Sequence, residues 1–205
     1  MRTLALLALL AVPLAAHADW NLRTPAGLPV FKNEIRGTFE GRKGEDTFGR
    51  LSYGLGNGLS VAATSAGRDR FSGDLAYNYL VPFPDAAPGI SVGVLDAGIS
   101  VGVLDVADEL AGRAFYLAVT MRYGNYDPGN QDVPTELTFG FLSRDGGRGF
   151  ASFALPVSEK LWFRAEYDGQ NPLGAIELRP VKELAVRGIV DRNGPSLGVG
   201  VRIQF

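Results

Sequence analysis

From position 34 to the last residue the chain alternates apolar and polar side chains with few interruptions. The pattern is cleanest at 195–205. There Leu197, Val199, Val201, Ile203 and Phe205 take every second position, with Gly198, Gly200, Arg202 and Gln204 between them. Successive side chains of a strand point to opposite faces, so one face of this segment is wholly apolar and the other is small or polar. The same two-residue period predicts strands at 34–42, 46–55, 59–66, 70–81, 113–123, 135–144, 149–157, 160–168, 172–179 and 183–190. Turn signals separate them: Lys43-Gly44-Glu45, Gly56-Asn57-Gly58, Gly67-Arg68-Asp69 and Asp145-Gly146-Gly147-Arg148, with Pro82 and Pro84 ending the fourth strand.

One region departs from the hairpin rhythm. Residues 89–97 read GISVGVLDA and 98–106 read GISVGVLDV, a tandem copy that differs only at its last position. Such a unit is too short for a solenoid repeat, whose units run to ~20 residues or more. Counting one strand here gives twelve; counting both copies gives thirteen. Single-chain bacterial barrels have even strand numbers, which favours twelve, with the extra copy taken up as a strand overhang or loop extension. Strands of about nine to eleven residues also match a tilted membrane span.

Soluble β-sandwiches and lipocalin-like cups alternate too. Three features set this chain apart. The apolar face is rich in aromatics: Phe39, Tyr53, Phe71, Tyr77, Tyr79, Phe115, Phe139, Phe141, Phe163, Tyr167 and Phe205. The opposite face is charged in mid-strand. The chain closes on an apolar strand with no polar tail. The expected fold is therefore an all-β, single antiparallel transmembrane barrel of about twelve strands, closed by the C-terminal strand that ends in Phe205. The expected division is a cleaved signal peptide at 1–18, an N-terminal lead-in at 19–33 and the barrel at 34–205.

The leader follows from Arg2, the apolar run 4–16 and the small-x-small site Ala16-His17-Ala18. No later stretch approaches the ~18 consecutive apolar residues of a transmembrane helix, so the mature chain reaches a membrane as a barrel or not at all. Formal net charge is −2, without the clustered Lys and Arg that nucleic acid would require. Glycine supplies 27 of 205 residues, roughly twice its usual ~7% share.

Histidine and cysteine bound the chemistry. The chain has one His, His17 in the leader, and no Cys. Nucleophile systems that depend on His, and zinc sites built on His or Cys, are unavailable to the mature protein. Outer-membrane phospholipases and omptin-type proteases, which need a catalytic His, are excluded on that ground. No catalytic, cofactor-binding or metal-binding residue is expected, and the protein is read as a non-enzyme.

The charged face supplies the candidate lumen lining: Arg36, Glu40, Arg50, Asp74, Arg122, Glu136, Arg164, Glu166, Glu177, Arg179, Arg187 and Arg202. Two readings are open. These groups form an internal mesh that fills the lumen, with pairs such as Glu166 and Arg179 or Arg187; or the surplus of Arg lines a weakly anion-preferring pore. The acids Glu166, Asp168 and Glu177 could in principle serve glycoside hydrolysis, but acids alternate with Arg throughout and read as lumen wall.

The second half carries a family resemblance. Leu161-Trp162-Phe163-Arg164-Ala165-Glu166-Tyr167-Asp168-Gly169, the strand Gly174-Ala175-Ile176-Glu177-Leu178-Arg179-Pro180, the strand Leu184-Ala185-Val186-Arg187-Gly188-Ile189-Val190-Asp191 and the Gly-rich Leu197-Gly198-Val199-Gly200-Val201 resemble the C-terminal barrel of YjbH-like outer-membrane proteins. The segment 98–105 leading into 113–119 is similar to another region of that family. The resemblance spans 89–205. It implies outer-membrane residence and a role in exopolysaccharide secretion or envelope assembly, and it carries over no catalytic residue. The chain departs from the larger members in being one short barrel, in lacking a lipidated Cys and in its nine-residue duplication.

The functional expectation is thus a non-enzymatic outer-membrane barrel, a pore or an accessory of export or envelope assembly. Its expected partners are outer-membrane lipid, the barrel-assembly machinery through the C-terminal strand, and polysaccharide or small anionic solutes. A soluble periplasmic β-protein that binds lipid or another apolar ligand, and a purely structural barrel with a plugged lumen, are the alternatives.

Overall fold

A computed structural model describes residues 22–26, 30–44, 46–67, 70–81, 93–104, 113–124, 134–143 and 146–205. Twelve strands follow the alternating segments: β1 (Glu34–Gly41), β2 (Phe48–Gly56), β3 (Leu59–Ala66), β4 (Arg70–Val81), β5 (Gly93–Leu104), β6 (Ala114–Gly124), β7 (Thr135–Leu142), β8 (Arg148–Pro156), β9 (Leu161–Tyr167), β10 (Pro172–Val181), β11 (Leu184–Asp191) and β12 (Gly194–Gln204). Each pairs antiparallel with its neighbours in sequence. β1 also pairs with β12, from Glu34 opposite Gln204 to Gly41 opposite Leu197, and the sheet closes into a barrel. Closure leaves no unpaired edge. The fold class and the count of twelve are those the alternation predicts.

β5 accounts for the duplication. It spans both copies, taking Gly93–Ala97 from the first and Gly98–Leu104 from the second, and pairs with β6 along its length. One twelve-residue strand thus absorbs the junction as an overhang. The remainder of both copies, 89–92 and 105–106, lies outside the described residues, as does the leader at 1–18.

The barrel has two ends. At the terminal end β1 begins, β12 finishes and the β2–β3 turn lies. At the distal end lie the β1–β2, β9–β10 and β11–β12 connections. The β2–β3 turn requires positive φ at both of its central residues. Asn57 and Gly58 meet that need with φ of 53° and 79°. A side chain at Gly58 would collide with the Asn78 carbonyl, and the Asn78 amide donates to the Gly58 carbonyl at 2.7 Å. The turn is packed onto β4.

The two faces are sharply unlike. Outward, the middle of the wall is aliphatic: Leu51, Val61, Leu75, Leu117, Leu155, Ile176, Val186 and Val199 are exposed. Aromatics flank that band. Tyr53, Tyr77 and Tyr79 lie toward the terminal end, and Phe71, Phe115, Phe141 and Tyr167 toward the distal end. Phe71 is 62% exposed and Phe205 71%. Inward, by contrast, are Arg, Glu, Asp, Ser and Thr, nearly all buried.

Candidate functional site

The lumen is the only chemically rich region among the described residues, and it is built from alternate positions of the strands. All twelve expected lining groups follow from parity: they sit where their strand turns away from the apolar wall, and all twelve are buried or half-buried inside. They gather into local knots.

The tightest knot surrounds Glu177 on β10, which is fully buried. Its carboxylate accepts from Arg164 on β9 at 3.0 Å, Arg179 at 2.6 Å and Arg187 on β11 at 2.5 Å. Trp162 closes this knot from below; the guanidinium carbon of Arg179 lies 4.0 Å from its ring centroid. A cation over an indole face is attracted by the ring quadrupole, by ~0.5–2 kcal/mol. Glu34, also fully buried, is shared by Arg36 at 2.6 Å and by Arg202. Arg36 and Arg202 face each other directly across the β1–β12 ladder. Like charges placed so repel, and Glu34 is the group that offsets this. Arg50 pairs with Asp74 at 2.7 Å, and Asp74 also accepts from the Thr64 hydroxyl. Arg122 and Glu136 pair across β6 and β7 at 3.2 Å, and in the next inward-facing row the hydroxyls of Thr120 and Thr138 lie 2.7 Å apart.

The expected partnership of Glu166 with Arg179 or Arg187 does not form. Those arginines are drawn to Glu177, which lies two positions before Arg179 on β10 and directly opposite Arg187 on β11, with Trp162 of β9 on its other side. Glu166 lies four residues further along β9, near the distal end, and binds the lead-in instead. Its two oxygens accept from the backbone N–H groups of Leu22 and Arg23 at 2.7 and 2.9 Å.

The lead-in is therefore part of the lumen. Leu22 packs on Ala175 and Ile189 of the inner wall. The Arg23 guanidinium bridges Glu40 at 2.5 Å and Asp191 at 2.6 Å, both near the distal end. Arg42 also binds Asp191, and Ser196 donates to Glu40. At the other end the Phe31 amide donates to Glu34 and the Asn33 amide to the Gly54 carbonyl. A side chain at Gly54 would overlap the Phe31 carbonyl. Glycine there lets the lead-in cross close to β2. The segment thus has its residue-22 end at the distal mouth and residue 33 at the terminal end, with residues 27–29 outside the described part.

On one side the lead-in lies against β10 and β11. On the other, small inward residues of β2–β4 leave a cavity of about 60 Å³ between them and the segment, lined by Ser52, Ser60, Ala62, Asp74 and Asn78. A wider recess of about 310 Å³ opens at the distal mouth beside Arg23, Glu40, Arg42 and Asn193. No group of three or more acidic or imidazole side chains among the described residues is placed to hold a metal.

Several lumen residues escape the alternation reading. Glu34 and Trp162 each lie two positions before an expected lining Arg, so their parity was available as a signal. Arg42 and Asp191 lie at strand ends, where the period runs out. Arg23 has no periodic context; its partners Glu40 and Asp191 lie 17 and 168 residues away.

No protein-family model matches the chain, and no curated protein does; the YjbH-like resemblance gains no support from either. Among solved structures, the crystal structure of the Acinetobacter baumannii outer membrane protein Omp33 is similar at 13% identity and a TM-score of 0.46, over 85% of this chain and 98% of that chain.

Proposed function

We propose that this chain is a bacterial outer-membrane β-barrel whose narrow lumen is closed at rest by its own lead-in, and that it passes small polar solutes when that segment shifts. The observation that carries the reading is the attachment of the lead-in. It is held inside the barrel by one carboxylate and one bridging guanidinium, beside a cavity lined by small and polar side chains.

Membrane residence rests on inverted polarity. A ligand-binding cup in water keeps its charge outside and its grease within; here the wall is reversed, with an aliphatic band between aromatic girdles outside. That arrangement also speaks against the soluble lipid-binding reading, because the interior holds ion pairs where an apolar ligand would sit. A polysaccharide conduit, the role implied by the YjbH-like resemblance, would require the lead-in and the knots beside it to leave the lumen together.

Planar-bilayer recording of the refolded mature chain tests the proposal. The wild type is expected to be mostly closed, with brief openings. The double substitution Arg23→Ala and Glu166→Gln is expected to raise the open fraction at least tenfold. Cysteines at Leu22 and Ala175, which pack together, are expected to hold the pore shut when oxidised and release it when reduced. Silence in every variant would mean a structural barrel with a permanent plug. A monodisperse folded monomer in plain buffer would remove the membrane reading altogether.

A further inference from the structure

The lumen wall is lopsided. On its β10–β11 side the lead-in touches the wall, through Leu22 on Ala175 and Ile189, and the arginines further along are locked on Glu177. Across β2–β4 the inward residues are small. One row carries Ser52, Ala62 and Asp74, and the next row toward the terminal end carries Gly54, Ser60 and Ala76. Nothing in either row is larger than aspartate. The cavity of about 60 Å³ lies on this side and follows the lead-in from Arg23 through Ala26 to Val30. It reaches Asn78, where the β2–β3 turn packs on β4. The space left by the seated segment is therefore off-centre, against β2–β4.

We propose that this cavity is the solute-binding section of the lumen, and that it takes one uncharged, hydroxylated molecule of about glycerol size. The inference rests on the reading of the lumen as a solute passage and adds the route and the class of solute. Size follows from the volume. About 10–15 Å³ on this kind of measure admits one water-sized occupant, so the cavity holds about four to six, the bulk of a three-carbon polyol. A hexose does not fit beside the seated lead-in. Charge follows from the pairing. Each guanidinium on the lining is already held by a carboxylate: Arg23 by Glu40 and Asp191, Arg36 by Glu34, Arg50 by Asp74. A charged solute would have to break one of these pairs and leave a buried charge uncompensated. Hydroxyl and amide groups, by contrast, both donate and accept. Thr24, Ser60 and Asn78 supply such groups on the lining, and Val30, Ala62 and Ala76 supply apolar surface for a carbon backbone. The Arg50–Asp74 pair determines specificity: while it is intact, the β2–β4 wall carries no net charge.

Two measurements on the refolded mature chain test this. In detergent, saturation-transfer NMR reads the binding of glycerol and of glucose. Glycerol is expected to bind at millimolar concentration and glucose to give no signal. Ala62→Phe, which fills the cavity, is expected to abolish the glycerol signal, and Ala62→Ser to keep it. In planar bilayers, reversal potentials across a potassium chloride gradient are read in the double variant Arg23→Ala, Glu166→Gln. Adding Asp74→Asn, which leaves the Arg50 charge in excess, is expected to shift selectivity toward anions at least fivefold. Adding Arg50→Gln is expected to shift it as far toward cations. Glu136→Gln leaves the same excess at Arg122 on β6, off the cavity lining, and is expected to move selectivity far less. Should the single substitutions fail to fold, Ser60→Cys labelled after folding with a cationic or an anionic thiol reagent replaces them, since the chain has no other thiol. Glycerol binding that survives Ala62→Phe, equal binding of glucose, or a selectivity indifferent to charge at these positions would each overturn the inference. Glycerol binding that Ala62→Phe abolishes, with no variant conducting, would sink the gated passage and keep the site; conductance without glycerol binding would do the reverse.

Discussion

At the scale of single residues, the lumen is organised by carboxylates that serve more than one arginine. Glu177 is the extreme case, with three guanidinium groups on one side chain. Removing a buried partner strands the charges it compensated, at a cost of about 3–5 kcal/mol. Glu177→Gln keeps the shape and removes the charge, so it is expected to destabilise the barrel by that amount in urea unfolding monitored by heat-modifiable gel migration. Glu183→Gln, in the β10–β11 turn, is the control and is expected to change stability by less than about 0.5 kcal/mol. The parity of the charged positions was legible from sequence because the period of a strand is a local property. Their pairing was not. Glu166 and Glu177 look alike in sequence, on the same inward face of adjacent strands. Which one collects Arg179 and Arg187 depends on the stagger between β9 and β10, where Glu177 lies opposite Trp162 and Glu166 opposite Leu173.

At the scale of elements, strands and lead-in differ in how much of their structure is written locally. The strands carry their own pattern: β3 runs over Leu59–Ala66 and β4 over Arg70–Val81, the bounds their alternation predicts, and the ends of the other predicted strands shift by at most two residues, where turns take over. The lead-in has prolines, glycine and no period, so nothing in 19–33 indicates that it enters the barrel. Its place is set by groups far along the chain, above all Glu166. β5 is the intermediate case. Its sequence is readable twice, and only pairing decides which residues enter the wall. Register makes the consequence testable. Deleting 89–97 leaves Gly98–Leu104, which holds the pairs from Leu80 opposite Gly98 to Leu75 opposite Val103 on β4, and those from Thr120 to Ala114 on β6. It removes the partners of Met121, Arg122, Tyr123 and Gly124 on that side. The shortened chain is expected to refold into a heat-modifiable barrel with a lower unfolding temperature, because β7 still pairs with Tyr123 through Tyr116. Complete loss of the folded band would mean that the wall needs residues from both copies.

At the scale of the whole molecule, twelve antiparallel strands return the chain to the end from which it began, so Glu34 and Gln204 lie side by side. In single-chain bacterial barrels that end faces the periplasm. The lead-in complicates this arrangement. Leu22 and Arg23 are bound at the distal end, so this part of the lead-in lies at the end of the barrel opposite to the start of β1. A chain without Cys makes the sidedness measurable, since a single introduced thiol is the sole target of a membrane-impermeant maleimide. Asn193, in the β11–β12 turn, is exposed at the distal end, and Asn57 lies in the β2–β3 turn at the terminal end. Asn193→Cys is expected to label on intact cells, and Asn57→Cys only after the outer membrane is permeabilised. Arg23→Cys separates the two halves of the argument. It sits near the distal end but inside the lumen, with its side chain about a third exposed. In the closed barrel it is expected to label far more slowly than Asn193→Cys from outside. Adding Glu166→Gln removes the carboxylate that holds the backbone beside it, and labelling of Arg23→Cys from outside should then accelerate while labelling at position 193 stays the same. If both thiols instead react only from the periplasmic side, the barrel is inserted the other way round, and the lead-in opens toward the periplasm.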